Sequence, residues 1–168
     1  MRWHPTSYHE YIQHKFLTSE NLDKTLFLWR FKSNPIIFTN GCFDLLHDGH
    51  LDLLCQAKQL HGKLIIGLNS DASVKRLKGE SRPVRNEQSR MLQLAALHMV
   101  DGVILFNEDT PLELIKRINP DILVKGGDYN ESTIVGASEV KQNGGKVEII
   151  KLVEGFSTTN LINIIEKK

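Results

Sequence analysis

Five short runs of this chain are apolar along almost their whole length: Pro35–Thr39, Lys63–Asn69, Gly102–Phe106, Asp121–Lys125 and Lys146–Leu152. Runs of this length and character read as strands buried on both faces. Helical patterns fill the spaces between them. They are Asp48–Leu60, Ser70–Lys78 closed by Gly79, Glu87–Met99, Ser132–Asn143 and Thr159–Glu166. A further helix is predicted up to Ile118, opened by the capping box Thr110-Pro111-Leu112-Glu113. Buried strands alternating with helices imply a parallel sheet. The expected fold is α/β: a Rossmann-like, doubly wound, parallel five-stranded sheet with helices on both faces, over residues 35–168. Residues 1–34 form a helical extension, with amphipathic patterns at Tyr8–Phe16 and Leu22–Phe31. Ser19, Asn21 and Asp23 open the second of these. No repeat, biased segment or linker marks a further division.

Composition narrows the function classes. The 168 residues suffice for one proper core, and 40% hydrophobic with 24% charged residues is ordinary for a soluble globule. A net charge of +1 gives no electrostatic case for nucleic acid or a membrane surface. No apolar run approaches the ~18 residues of a membrane span. The N-terminus, with Arg2, His4, Pro5 and His9, lacks the apolar core of a signal peptide. Cys42 and Cys55 have no CxxC spacing and read as reduced packing thiols of a cytoplasmic protein. His4, His9 and His14 recur at a spacing of five, which fits no helical face, and read as surface residues.

His47-Asp48-Gly49-His50 stands where the first apolar run gives way to a helix. Two imidazoles three residues apart at a helix start lie on one face. The free N–H groups of the first turn point the same way, with the positive end of the helix dipole. Gly49 removes a side chain where a ligand must approach the backbone. These features describe a polyphosphate site. A helical metal pair would stand at i, i+4 and would need a third ligand.

The other candidate residues fall where strands end, which is where open α/β sheets bind ligands. Thr39, Asn40, Gly41, Phe43 and Asp44 lead from the first strand into the helix. Asn69 ends the second strand, and Lys125-Gly126-Gly127-Asp128 follows the fourth. Gly155-Phe156-Ser157-Thr158-Thr159 follows the fifth and caps the last helix, offering hydroxyls and free N–H groups to a second phosphate. Lys75, Arg76, Lys78, Arg82 and Arg85 crowd the segment after the second strand. A loop of Gly, Pro and basic residues there suits a lid over phosphates, with Lys78 foremost, and Arg90 one turn into the next helix can reach in.

These stretches resemble the nucleotidyltransferase superfamily that carries an HxGH signature on a cytidylyltransferase-like fold. Within it the chain is most similar to the D-glycero-β-D-manno-heptose 1-phosphate adenylyltransferases. The likeness is carried by Phe38–His50, by Gly67-Leu68-Asn69-Ser70-Asp71-Ala72-Ser73-Val74, and by Arg76-Leu77-Lys78-Gly79 with Arg82-Pro83-Val84. Glu108-Asp109-Thr110-Pro111, Leu123–Tyr129 and Gly155–Asn160 complete it. The Arg-Leu-Lys-Gly and Lys-Gly-Gly-Asp-Tyr stretches are the most specific to the heptose branch.

The resemblance implies transfer of AMP from ATP to the heptose 1-phosphate, giving ADP-heptose and pyrophosphate for the lipopolysaccharide core. It implies catalysis by His47, His50 and Lys78. Nucleotide binding falls to Thr39, Asn40, Gly41, Phe43, Gly49, Asn69, Arg90, Gly155, Ser157, Thr158 and Thr159. Acceptor binding falls to Asp44, Lys125, Gly127 and Asp128. Mg²⁺ would arrive with ATP, with Asp44 a water-mediated contact. A homodimer is implied, together with a separate heptose kinase in place of the kinase half of fused members. Lys151-Leu152-Val153-Glu154 lacks the arginine that related cytidylyltransferases carry before Ser-Thr-Thr. An FMN adenylyltransferase, a glycerol-3-phosphate cytidylyltransferase and a non-catalytic nucleotide sensor remain as alternatives. A class I aminoacyl-tRNA synthetase fragment is set aside, because no Lys-Met-Ser-Lys-Ser motif and no anticodon domain are present.

Overall fold

A computed structural model describes residues 7–127 and 129–151. In chain order its elements are α1 (Tyr8–Gln13), β1 (Phe16–Leu17), α2 (Leu22–Phe31), β2 (Ile36–Gly41), α3 (Asp48–Lys58), β3 (Lys63–Asn69) and α4 (Asp71–Lys78). They continue with α5 (Glu87–Ala96), β4 (Gly102–Phe106), α6 (Leu112–Ile118) and β5 (Ile122–Gly126). A single 3-10 turn (Glu131–Thr133), α7 (Ala137–Gln142) and β6 (Lys146–Ile150) follow. All neighbouring strands pair in parallel, in the order β1-β4-β3-β2-β5-β6.

Among the described residues the sheet therefore has six strands, not the expected five. The sixth comes from the N-terminal segment. The helix expected over Tyr8–Phe16 ends at Gln13, and Phe16–Leu17 lies along β4, pairing with Val103 and Ile104. The Lys15 carbonyl accepts from the Val103 N–H at 2.8 Å. An edge strand has backbone groups that need partners, and this demand outweighs a local helical pattern.

Why the central strands form is plain from their burial. Ile36, Ile37 and Phe38 of β2 are fully buried, as are Leu64, Ile65, Ile66 and Leu68 of β3. Both faces of the sheet are covered. Leu53, Leu54 and Ala57 of α3 and Met91, Leu94 and Ala95 of α5 pack on one. Leu22 and Leu26 of α2, Ile115 and Ile118 of α6, and Ala137 and Val140 of α7 pack on the other. The short helices begin where side chains accept free N–H groups. Ser70 accepts from Ser73 at the start of α4, and Asn86 from Ser89 at the start of α5.

Two later helices differ from expectation in how they begin. The capping box opening α6 does not form: Pro111 occupies the cap position, without a side-chain bond. The helix expected over Ser132–Asn143 is split at Gly136, which stands at φ +85°. A side chain there would meet Ile115 at 2.7 Å. The expected helix Thr159–Glu166 lies outside the described residues.

The N-terminal segment is tied into this framework. Arg30 donates through Nη2 to the carbonyls of Ile118 and Asn119, both at 2.7 Å, at the end of α6. Leu22 is fully buried between α2 and the sheet. Leu22→Ala is expected to cost about 2–5 kcal/mol. It should lower the midpoint of one cooperative thermal transition followed by circular dichroism. Unfolding at the wild-type temperature would show that α2 adds nothing to this core.

Candidate active site

β2 has two unlike neighbours. Its ladder with β3 runs from Ile36 opposite Lys63 to Gly41 opposite Leu68. Its ladder with β5 pairs Ile37 with Ile122 and Phe38 with Leu123, and then stops. The chain moves outward from β2 through β3 and β4, then crosses back to β5 on the other side. Here the strand order reverses, and a crevice opens at the carboxyl ends of the strands. A cleft of about 380 Å³ lies there, lined among others by Thr39, Asn40, Gly41, Phe43, His50 and Lys125.

Lys125 bridges the parting strands by donating from Nζ to Oδ1 of Asn40. Burial lowers its pKa to about 8. At neutral pH it remains mostly a cation, set at the floor of the crevice.

The histidine pair sits at the start of α3. His47 is the N-cap, and its Nδ1 faces the His50 backbone N–H at 3.4 Å. A neutral ring that accepts at Nδ1 carries its proton on Nε2. The two rings stack, with centroids 3.7 Å apart and planes at 21°. Phe43 closes the other side of His50, centroid to centroid 5.0 Å. Burial pulls His50 down to about 4, and the neighbouring His47 adds to that. The Leu45 carbonyl beside the ring offsets a part. His50 Nδ1 is buried and has no hydrogen-bond partner among the described residues. Burial lowers His47 as well, against the Asp48 charge. Both rings are neutral at pH 7 and stand ready as N–H donors. Gly49 is buried in the first turn beneath them.

Asp44 and Arg90 lie elsewhere than their expected roles require. Asp44 is almost wholly buried, and both carboxylate oxygens are occupied. Arg82 Nε donates to Oδ2 at 2.5 Å, and the N–H groups of Val84 and Arg85 donate to Oδ1 at 2.8 and 3.1 Å. Burial pushes this carboxyl up, but the N–H groups of Arg85 and Val84 and the Arg82 guanidinium together hold it below the ordinary value. Asp44 thus fastens the basic loop and, almost wholly buried, presents no surface to a metal-bound water. Arg90 has no exposed surface. Its guanidinium donates to the Cys42 carbonyl at 2.6 Å, the Arg85 carbonyl at 3.0 Å and Asp71 Oδ1 at 2.8 Å. It ties the loops at Cys42 and Arg85 to the start of α4 and does not line the cleft.

The remaining expected residues divide clearly. Thr39 and Asn69 are buried in the cleft wall, where Asn69 Nδ2 donates to Ser73 Oγ at 3.0 Å. Lys78 lines the cleft and is exposed. Gly127, at φ +132°, turns the chain after β5 and donates to the Ile150 carbonyl at 2.9 Å. Asp128, Gly155, Ser157, Thr158 and Thr159 lie outside the described residues. Sequence patterns did not single out Leu53, Leu77 or Tyr129 as cleft residues. Leu77 and Tyr129 are about half exposed there, and an apolar residue beside Lys78 outside any helical apolar face was the available signal. No three His, Cys, Asp or Glu side chains among the described residues group into a metal cage. No described helix is long and apolar enough to cross a membrane.

Comparison with known proteins agrees with this geometry. Residues 38–164 match the family model described as cytidylyltransferase-like. The "Bifunctional protein HldE" of Syntrophotalea carbinolica is 54% identical over 90% of this chain and 31% of its own length. That of Caulobacter vibrioides is 58% identical over 80% of this chain and 28% of its own. The chain thus spans less than a third of these curated relatives. A crystal structure titled as the lipopolysaccharide core biosynthesis protein of Thermoplasma volcanium superposes with a TM-score of 0.59 at 28% identity. It covers 71% of this chain and 97% of that one. With the family model spanning most of the sheet and every described element of the cleft, the chain belongs to the cytidylyltransferase-like family.

Proposed function

We propose that this protein transfers AMP from ATP to D-glycero-β-D-manno-heptose 1-phosphate, releasing pyrophosphate and forming ADP-heptose for the lipopolysaccharide core. The observation that carries this is the stacked His47–His50 pair at the start of α3, beside a cleft with Lys125 at its floor and Lys78 on its wall. A site of neutral donors and cations suits a triphosphate meeting a second phosphate. The relatives named HldE and the lipopolysaccharide core protein support the choice of acceptor.

The nucleophile is an oxygen of the sugar phosphate, already ionised at neutral pH. It bonds to the α-phosphorus while the bond to the bridging oxygen of the β-phosphate breaks, and pyrophosphate leaves. No general base is needed. The barrier is the approach of one anion to another, so catalysis rests on positioning and charge stabilisation. His47, through Nε2–H, and His50 donate to phosphate oxygens as charge grows on them. Lys78 neutralises the departing pyrophosphate. Lys125 attracts the acceptor phosphate toward the floor. Asn40, Gly41 and Phe43 offer main-chain groups, and Gly49 leaves room for the phosphate at the helix start. Ser157–Thr159, with Gly155, would serve the triphosphate and Asp128 a hydroxyl.

Mg²⁺ belongs in this proposal only as a companion of the triphosphate. The buried carboxylate of Asp44, held by Arg82, Val84 and Arg85, does not fit as its ligand. A homodimer, a separate heptose kinase and a cytoplasmic setting supplied with ATP are further parts of the proposal. So is residues 35–168 as the transferase domain with residues 1–34 as its extension.

Pyrophosphate release with the heptose phosphate is expected to favour ATP over CTP at least ~100-fold in kcat/KM, about 2.7 kcal/mol. Equal use of CTP would move the chain to a cytidylyltransferase. Tight ATP binding without pyrophosphate from any sugar phosphate would make it a nucleotide sensor.

His47→Ala and His50→Ala should each cut turnover at least ~100-fold, the loss of ~3 kcal/mol of transition-state stabilisation, with the circular dichroism spectrum unchanged. Turnover within threefold of wild type would remove the phosphate role.

The His50 ring should titrate near 4 in an NMR pH series of the free protein. Its folded pKa lies below that of the unfolded chain, so its neutral form stabilises the fold above about pH 6.5. That contribution fades as pH falls from there toward 4. A ring titrating at 6.5 would mean that burial does not hold it neutral.

A further inference from the structure

Arg90 is among the largest fully buried side chains, and Asp71, its only ion-pair partner among the described residues, is a third exposed. Burying a guanidinium is costly unless its donors are satisfied, and an apolar residue of similar volume would pack there at less cost. What the arginine adds is directional. Nη1 takes the Cys42 carbonyl at 2.6 Å, and that carbonyl belongs to the loop entering the cleft.

A trans peptide carries its C=O and the following N–H on opposite sides. A Cys42 carbonyl held on the buried side therefore turns the Phe43 N–H the other way. No hydrogen bond among the described residues uses that N–H. Phe43 itself stands at φ +43°, a left-handed conformation that non-glycine residues adopt only when their surroundings fix it. Its ring lies over Gly41, where a side chain would come within 3.0 Å of it, and against His50. On its other flank Asp44 is fixed by Arg82, Val84 and Arg85. The loop is thus clamped on both sides of one free amide.

We propose that Arg90 is a positioning residue for nucleotide binding: by holding the Cys42 carbonyl it presents the Phe43 N–H to a phosphate of the nucleotide. This rests on the cleft being a nucleoside triphosphate site, and goes beyond it by giving a side chain outside the cleft control of a donor inside it. Arg90 touches no substrate. Its effect falls on the phosphates and leaves the nucleoside alone.

The test uses ATP alone, so an error in the acceptor does not affect it. In ¹⁵N-labelled wild-type protein, ATP should shift the Phe43 amide proton downfield, and adenosine should leave it in place. Arg90→Lys keeps the charge but is too short and too simple to hold all three partners. It is expected to weaken ATP binding at least thirtyfold by calorimetry, with adenosine binding changed less than threefold. Asp71→Asn removes the ion pair but not the Cys42 contact. It should lower the melting temperature and leave ATP affinity within threefold. A still Phe43 amide under saturating ATP would overturn the proposal, and this reading stands even if Arg90→Lys fails to fold. Equal loss of ATP affinity in Arg90→Lys and Asp71→Asn, or parallel loss of ATP and adenosine, would also overturn it. A wild-type protein that binds no ATP would instead sink the nucleotidyltransferase reading.

Discussion

The parting of β2 from β5 after two rungs is the constraint on which the rest depends. A parallel strand between two neighbours normally finds hydrogen bonds on both sides along its length. Beyond Phe38, β2 pairs only with β3, and Thr39, Asn40 and Gly41 line the cleft that opens toward β5. The chain fills that space with chemistry instead of backbone. Lys125 and Asn40 span it, and α3 begins beside it with a pair of rings.

Charge placement follows from the same opening. Lys125 loses water on the cleft floor, which lowers its pKa, while the imidazoles are held neutral by packing. The two rings at 3.7 Å could not both be protonated cheaply, so they act as donors and not as a dication. The formal charges that fix the loops, Asp44 and Arg90, are buried behind the cleft, each held by three hydrogen bonds. Binding and bracing are thus given to different residues, although both sets are polar and lie within a few positions of each other.

The sequence made the first set legible because its geometry is local. Only Asp48 and Gly49, at the start of α3, separate His47 from His50, and no distant contact is needed to place their rings together. Alternation of apolar runs and helices gave the central strands for the same reason. Sequence alone suggests ligand contacts for Arg90 and Asp44, because a basic side chain near a phosphate loop and an acidic one near a triphosphate's metal have obvious uses. Except for Arg85, five residues from Arg90, their partners are far along the chain, and only the fold brings Cys42 to Arg90 or Val84 to Asp44. A hint was present: Arg90 shares the helix face of Met91 and Leu94, and an arginine on an apolar face needs internal acceptors. The strand at Phe16–Leu17 is hidden for the same reason, since its pairing with Val103 and Ile104 is invisible to any local pattern.

That two-residue strand has a colloidal consequence. The β4 edge, with Val103 and Ile104 buried, would otherwise be a flat apolar template for any passing chain in extended form. Phe16 and Leu17 occupy it and end almost at once, Lys15 before them turned to the Leu97 carbonyl and Thr18 after them bonded to Asn21. An incoming strand meets a ledge two residues long between loops. On this side the sheet resists growth from molecule to molecule, and crowded copies of the protein are kept from joining edge to edge.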